Sequence, residues 1–301
     1  MTWRAALLAV TLLVAPRAAR AASGCTVTLA SINFGGYDVF AAGGLTWSGN
    51  LSFSCIGNAN GPIYIELGAG TSGTYAQRQE ASGASRLGYN LFTDPSFGTV
   101  WGDGNGGTGE YVSYANPGNG TVYLVPVYGQ IPARQDVAVG AYADTLTATI
   151  FWTKKQVTNS ATISVPISAS VISKCSIATI PLDFGAYDPV GANATTAKTV
   201  TGAVTTTCTR GAAPTIGLDG GRNPSGAQRQ MTDGAGHLLA YGLFQDGAHA
   251  IPWENAGAGL LSPPAAPNFG PRTFTVHGQI PAGQDAFAAS YGDTVTATVT
   301  Y

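Results

Sequence analysis

Two segments alternate between apolar and polar positions more strictly than any others in the chain. In one, Ile163, Val165, Ile167, Ala169 and Val171 are separated by Ser164, Pro166, Ser168 and Ser170. In the other, Val295, Ala297, Val299 and Tyr301 are separated by Thr296, Thr298 and Thr300. A period of two turns one face toward a core, so residues 161–172 and 293–301 are both predicted as half-buried strands. Pro166 lacks an N–H and is expected to hold the first of these to an edge position. One run has no such period. Ala5 to Ala15 is almost wholly apolar, follows Arg4 and precedes Ala19-Arg20-Ala21. This is the pattern of a secretory signal peptide, residues 1–22. It is too short for a membrane anchor, which needs about 18 or more apolar residues, and no later segment supplies one.

The remaining chain reads as short strands joined by turns, because 41 Gly and 17 Pro supply the backbone angles that turns need. No long helical period follows the signal, and the predicted class is all-β. A net charge of −2 with four Lys excludes nucleic acid as a partner, since phosphates demand a basic footprint. His237, His249 and His277 lie in no motif of known mechanics, and neither G-x-S-x-G nor H-E-x-x-H occurs. The expectation is a protein that is not an enzyme and holds no metal or cofactor.

The chain repeats itself with a period of about 150 residues. Cys25 opens a segment ending Phe34-Gly-Gly-Tyr37-Asp38, and Cys175 opens one ending Phe184-Gly-Ala-Tyr187-Asp188. Ala76-Gln-Arg78-Gln answers Ala227-Gln-Arg229-Gln, Tyr89 answers Tyr241, and Trp101 answers Trp253. Gly129-Gln-Ile-Pro-Ala133 recurs as Gly278-Gln-Ile-Pro-Ala282. Tyr142-Ala-Asp144-Thr-Leu-Thr-Ala-Thr149 recurs as Tyr291-Gly-Asp293-Thr-Val-Thr-Ala-Thr298. This unit is too long for a solenoid repeat, so the chain has two domains of one fold, residues 23–153 and 175–301, joined by residues 154–174. The recurring Asp144 and Asp293 suggest structural hydrogen bonds at a sandwich corner. Four cysteines allow three pairings, and the repeat favours one bridge per domain, Cys25 with Cys55 and Cys175 with Cys208. A zinc site is the weaker alternative, because no C-x₂-C spacing occurs and the first copy has no His.

These motifs resemble the spore coat protein U domain family, which also supplies the subunits of archaic Csu-type chaperone–usher pili. The resemblance covers nearly the whole chain after residue 22, once per domain. It implies immunoglobulin-like sandwiches, each lacking a final strand that a neighbouring subunit provides. It also implies a periplasmic chaperone, an outer-membrane usher and other pilin subunits as partners, and a route through the periplasm to the cell surface.

The two predicted strands differ in how the chain continues beyond them. The strand carrying Val295, Ala297, Val299 and Tyr301 has nothing after it to cover its edge, and open edges template pairing with another chain. It is the expected acceptor edge, completed by β-augmentation. Residues 161–172, with Ile163, Val165, Ile167, Ala169 and Val171 inward, are expected to fold back as the last strand of the first domain. The alternative is a plain interdomain linker. With too few residues ahead of Cys25 to donate a strand, the chain accepts but does not give. That is the logic of a two-domain tip adhesin, attaching to an abiotic or host surface and supporting biofilm formation. The competing readings are a self-associating spore-coat or matrix protein and a minor pilin away from the tip.

Residues 23–152 hold 18 aromatics against 10 in residues 175–301, several of them in Gly-rich stretches of the first copy. Phe40, Leu45, Trp47, Phe97, Val100, Tyr111 and Tyr114 are therefore the expected contact residues, on loops carried by a rigid sandwich. The same aromatics would also suit a sugar-binding groove. Tyr37, Phe92 and Trp101 have counterparts in the second copy and read as core.

Overall fold

The computed structural model describes residues 24–57, 62–105, 110–115, 117–154 and 156–301. The expected signal, residues 1–22, lies outside them. Domain 1 opens with β1 (Gly24–Thr28), β2 (Ile32–Tyr37) and β3 (Leu45–Ile56). It continues through β4 (Ile63–Leu67), β5 (Arg78–Ser82), β6 (Ser85–Phe92), β7 (Val112–Tyr114) and β8 (Val122–Ile131). It ends in a long hairpin, β9 (Gly140–Lys154) and β10 (Val157–Val171). One layer runs β1-β3-β8-β6. Strand β6 then turns across to β5, and the second layer continues β9-β10-β2, with β4 on the outer part of β9. The inward residues of both layers, among them Leu51, Phe53, Ile65, Leu146 and Ile150, are fully buried. The class is all-β, as expected.

Domain 2 repeats the plan with β11 (Cys175–Ile180), β12 (Lys198–Cys208), β13 (Thr215–Leu218), β14 (Arg229–Thr232), β15 (Leu238–Phe244), β16 (Pro271–Ile280) and β17 (Ala297–Thr300). Its sheet runs β11-β12-β16-β15-β14, and β13 pairs with β17 apart from it. Disulfides Cys25–Cys55 and Cys175–Cys208 each staple the first strand of a domain to the third segment of its plan, closing loops of 30 and 33 residues. Loops of that length are worth about 3–4 kcal/mol on the chain-entropy account. No helix among the described residues is long and apolar enough to cross a membrane.

Residues 154–174 are not a linker in the ordinary sense. Strand β9 persists to Lys154 and β10 starts at Val157, three residues after it and earlier than the polar stretch 157–160 suggests. Strand β10 pairs antiparallel with all of β9, from Val157 opposite Lys154 to Val171 opposite Gly140. It also pairs parallel with β2, from Ile167 opposite Ile32 to Val171 opposite Tyr37. The edge position expected from Pro166 is therefore corrected. Strand β10 is an edge only up to Pro166, and from Ile167 onward it lies between two neighbours. The proline stands one residue before the second ladder begins.

Short contacts join the domains where β10 ends. The Val139 amide donates to the Arg210 carbonyl at 2.9 Å, and the Phe269 amide donates to Asp136 Oδ1 at 3.2 Å. Lys174 Nζ pairs with Asp38 Oδ2 at 2.6 Å, Arg210 Nη2 donates to Ser85 Oγ at 3.3 Å, and Phe40 meets Phe269 edge-on at 6.2 Å.

Candidate assembly groove and contact surface

The repeated motifs converge on one set of contacts in each domain. A Cβ on Gly129 would come within 2.9 Å of Phe34, and one on Gly278 within 2.9 Å of Phe184. That close approach is why each Gly-Gln-Ile-Pro turn opens with glycine. Tyr37 Oη donates to the Pro132 carbonyl and accepts from the Gln135 amide, and Tyr187 does the same with Pro281 and Gln284. Tyr89 and Tyr241 donate to Asp144 Oδ2 and Asp293 Oδ2, each at 2.7 Å. These carboxylates sit under Gly70 and Gly221, whose positive φ and missing Cβ leave them room. Asp144 and Asp293 are thus corner acceptors, and burial together with the carboxylate raises the phenol pKa of both tyrosines.

The domains diverge beside these corners. In domain 1, β10 lies over the core with Val165, Ile167, Ala169 and Val171 buried. Its neighbours Ile32, Phe34 and Tyr37 on one side, and Tyr142, Leu146, Ala148 and Ile150 on the other, are buried too. In domain 2 no described strand takes that place. The counterparts Leu182, Phe184, Tyr187, Tyr291, Val295, Ala297 and Val299 are all half-exposed. Between them runs a groove of about 1000 Å³, floored by Met231, Leu239, Tyr241, Leu243 and Val276.

The missing neighbour also shortens the walls. Residues 182–187 form no strand where β2 does, and β17 has 4 residues against 15 in β9. Of the expected acceptor edge, Ala297 and Val299 are on β17, while Val295 and Tyr301 fall outside it. Val295 lines the groove, whereas Tyr301 does not. Likewise Ile163, Val165, Ile167, Ala169 and Val171 all lie on β10, with Ile163 half-buried at its open part.

One core position differs in polarity. Met231 in the groove floor answers Glu80 in domain 1, which is fully buried beneath β10 near the Ala169 backbone, with neither oxygen in a well-formed hydrogen bond to a described residue. Burial, with the Asp144 charge beside it, pushes the Glu80 carboxyl from 4.5 up to about 8. The folded domain therefore keeps a proton that the unfolded chain releases. Its contribution to stability is intact below about 4.5 and is lost as pH rises toward about 8. Calorimetry across that window should find the domain 1 melting temperature falling for the native chain and nearly level for Glu80→Met. Parallel profiles would refute the assignment.

Of the seven contact residues expected from sequence, four lie in loops and three on strands, and most are partly buried. Leu45 and Trp47 lie on β3 and Tyr114 on β7, all packed against the core, with Tyr114 against Phe53 and Tyr123. Phe40 belongs to the domain junction, as Asp136 does. Phe97 leans on Phe92, which bridges to Val100. Tyr111 alone of the seven is exposed, and its ring meets Tyr64 at 5.0 Å. The apolar surface that sequence reasoning missed is on β8, where Val122 and Leu124 are 65% and 64% exposed. With Pro126 they form an outward stripe; domain 2 carries Pro271, Thr273 and Thr275 at those positions. Ile56 and Val157 are exposed nearby, at the ends of β3 and β10 far from domain 2. Comparing the repeats position by position would have found the stripe.

The fold matches known structures. A chain of the chaperone–tip adhesion subunit complex CsuC–CsuE, from archaic chaperone–usher Csu pili of Acinetobacter baumannii, superimposes with a TM-score of 0.53 at 16% identity. The match covers 92% of this chain and 100% of that one. The CooA pilin subunit of enterotoxigenic Escherichia coli matches 50% of this chain and 99% of its own, at 9% identity and a TM-score of 0.35. Protein U of Myxococcus xanthus is 32% identical over 158 residues, 47% of this chain and 85% of that protein. The Spore Coat Protein U domain matches twice, over residues 8–149 and 161–298. The chain belongs to that family and carries two copies of its domain.

Proposed function

We propose that this chain is an exported, non-catalytic subunit of a chaperone–usher fibre, and that it sits at the fibre tip as an adhesin. The observation that carries this reading is the contrast between the two grooves. Domain 1 is filled by the chain's own β10, whereas domain 2 has the same groove open and lined with apolar side chains. A partner's strand laid there, antiparallel to β17 and parallel to residues 182–187, would give domain 2 what β10 gives domain 1. A periplasmic chaperone would shield the groove before assembly and an outer-membrane usher would exchange it for a neighbouring pilin. The exposed Val122, Leu124, Tyr64 and Tyr111 on the far part of domain 1 suit attachment to an abiotic or host surface and hence biofilm formation.

Strand acceptance has a direct test on the full chain. A synthetic peptide of residues 161–172 serves as the probe strand. At about a hundredfold excess over its dissociation constant it should stabilise domain 2 by about 2.7 kcal/mol. That corresponds to a rise of roughly 10 °C in the domain 2 melting transition. No rise would sink the open-groove reading. Tip position is tested by immunogold labelling of intact fibres, with particles expected at fibre ends. Labelling along the shaft would favour the second reading, a self-associating coat or matrix protein, which the family's relation to spore coats supports.

A further inference from the structure

The junction between the two domains is a pattern for a second junction that the chain carries unused. Domain 1 meets domain 2 through Asp38, Phe40, Ser85, Asp136 and Val139. The repeat gives each a counterpart in domain 2, namely Asp188, Val190, His237, Asp285 and Ala288. In domain 1 these positions touch domain 2, with Ser85 buried, Asp38, Phe40 and Val139 partly buried, and Asp136 exposed at the margin. Their counterparts lie at the equivalent end of domain 2, where no described residue covers Val190, which is 92% exposed. Beside Ala288, Phe287 is 65% exposed where domain 1 has only Ala138.

Phe287 is held in that exposed position. Its ring stacks on His237 with centroids 4.1 Å apart and planes within 6°. His237 Nδ1 is fixed by Asp233 Oδ2 at 2.5 Å, and Tyr291 Oη accepts from the Phe287 amide at 3.0 Å. An aromatic ring held in water by its neighbours has lost its conformational entropy before any partner arrives, which favours binding. The exposed charges on this surface are Asp188 and Asp285, both acidic, while Asp233 is engaged by His237.

We propose that Asp188, Val190, His237, Asp285 and Phe287 form a docking surface for the body of the next pilin-type domain in the fibre. This rests on the strand-acceptance reading above and adds to it a contact outside the donated strand. The cis junction states the partner's chemistry. A cation should follow its donated strand closely to meet Asp188, as Lys174 follows β10 to meet Asp38. An apolar or aromatic side chain should cover Val190 and Phe287, as Phe269 covers Phe40. A backbone N–H should reach Asp285, as that of Phe269 reaches Asp136.

The test uses the full chain in cells that assemble it into fibres, with photo-reactive benzoylphenylalanine introduced at Val190, Phe287, Val295 or Leu124 in turn. Val295 lines the groove and reports the donated strand, while Leu124 on domain 1 is the background. Val190 and Phe287 should give cross-links to the neighbouring subunit several-fold above the Leu124 level. Peptide mapping should locate them in that subunit's body, outside its donated strand. If Val295 cross-links and positions 190 and 287 stay at background, the docking surface is refuted and strand acceptance stands. Links from 190 or 287 only to the donated strand, or to a second copy of this chain, refute it equally. If none of the three positions cross-links, both readings fall.

Discussion

Deleting residues 157–171 should unfold domain 1 while leaving the melting transition of domain 2 where it is. The strand removed contributes Val165, Ile167, Ala169 and Val171 to the core, all buried. Full burial of Val or Ile is worth about 1.5–3 kcal/mol each, so three of these side chains supply roughly 5–9 kcal/mol. The loss also uncovers Ile32, Phe34, Leu146 and Ile150 and strips β9 of a partner along its length. A domain of this size is stable by about 5–15 kcal/mol in all, so the deletion removes most or all of it. Differential scanning calorimetry of the full chain separates the two transitions. A milder variant, Ile167→Ala, should cost about 2–5 kcal/mol, and a synthetic peptide of residues 157–171 should restore the domain 1 transition to the deleted chain. Two unchanged transitions in the deleted chain would refute the role given to β10.

Arg78→Met should cost domain 1 about 3–5 kcal/mol. The Arg78 guanidinium is fully buried and, among the described residues, has no carboxylate within ion-pair distance. Its Nε donates to the Gly68 carbonyl at 2.9 Å, Nη2 to the Leu67 and Trp101 carbonyls at 3.0 and 2.6 Å, and Nη1 to Asn90 Oδ1 at 2.6 Å. Methionine matches its volume and supplies none of those donors, so three backbone carbonyls lose their donor at once. Lysine should not rescue it, because a single flexible ammonium cannot reproduce the planar fork. Arg229 repeats the arrangement with Asp219, Leu218 and Trp253 but has Gly242 where Arg78 has Asn90. Arg229→Met should therefore cost domain 2 somewhat less. Denaturant midpoints measure both, and a change below about 1 kcal/mol for Arg78→Met would be the contrary result.

The two-domain plan and the strand at 161–172 were legible because both are matters of pattern. A repeat is a comparison of the chain with itself, and alternation registers one buried face whatever it is buried against. What pairing decides was not legible. Val157-Thr158-Asn159-Ser160 is polar and reads as a turn, yet it is strand because Phe151 and Trp152 are already extended beside it. Residues 294–296 alternate as well as any in the chain and are not strand. Thr296 still bonds Asp219, but among the described residues no strand pairs with them on the groove side, where β10 pairs with 145–147. Leu45 and Trp47 stand among glycines that suggest a loop. Gly49 is there to let the Trp47 ring lie against the backbone, since a Cβ would collide with that ring. Their neighbourhood reads as turn chemistry when it is packing. Glu80 and Met231 escape a comparison of the repeats that looks for likeness, because this pair is informative as a difference.

The second family match begins at residue 161 and so takes in most of β10, the strand that by packing closes the first domain. That overlap has a mechanical consequence. Strand β10 enters domain 1 at the end far from domain 2 and leaves at the near end, continuing through Lys174 into Cys175. If domain 1 holds a surface and domain 2 a fibre, as proposed, tension between them would pull β10 along its own axis. The hydrogen bonds of both ladders, to β9 and to β2, then bear the load side by side and must fail together rather than one after another. A hairpin pulled open from its turn would give way rung by rung at far smaller force. The direction in which this strand runs therefore makes the first domain a grip that resists being drawn out.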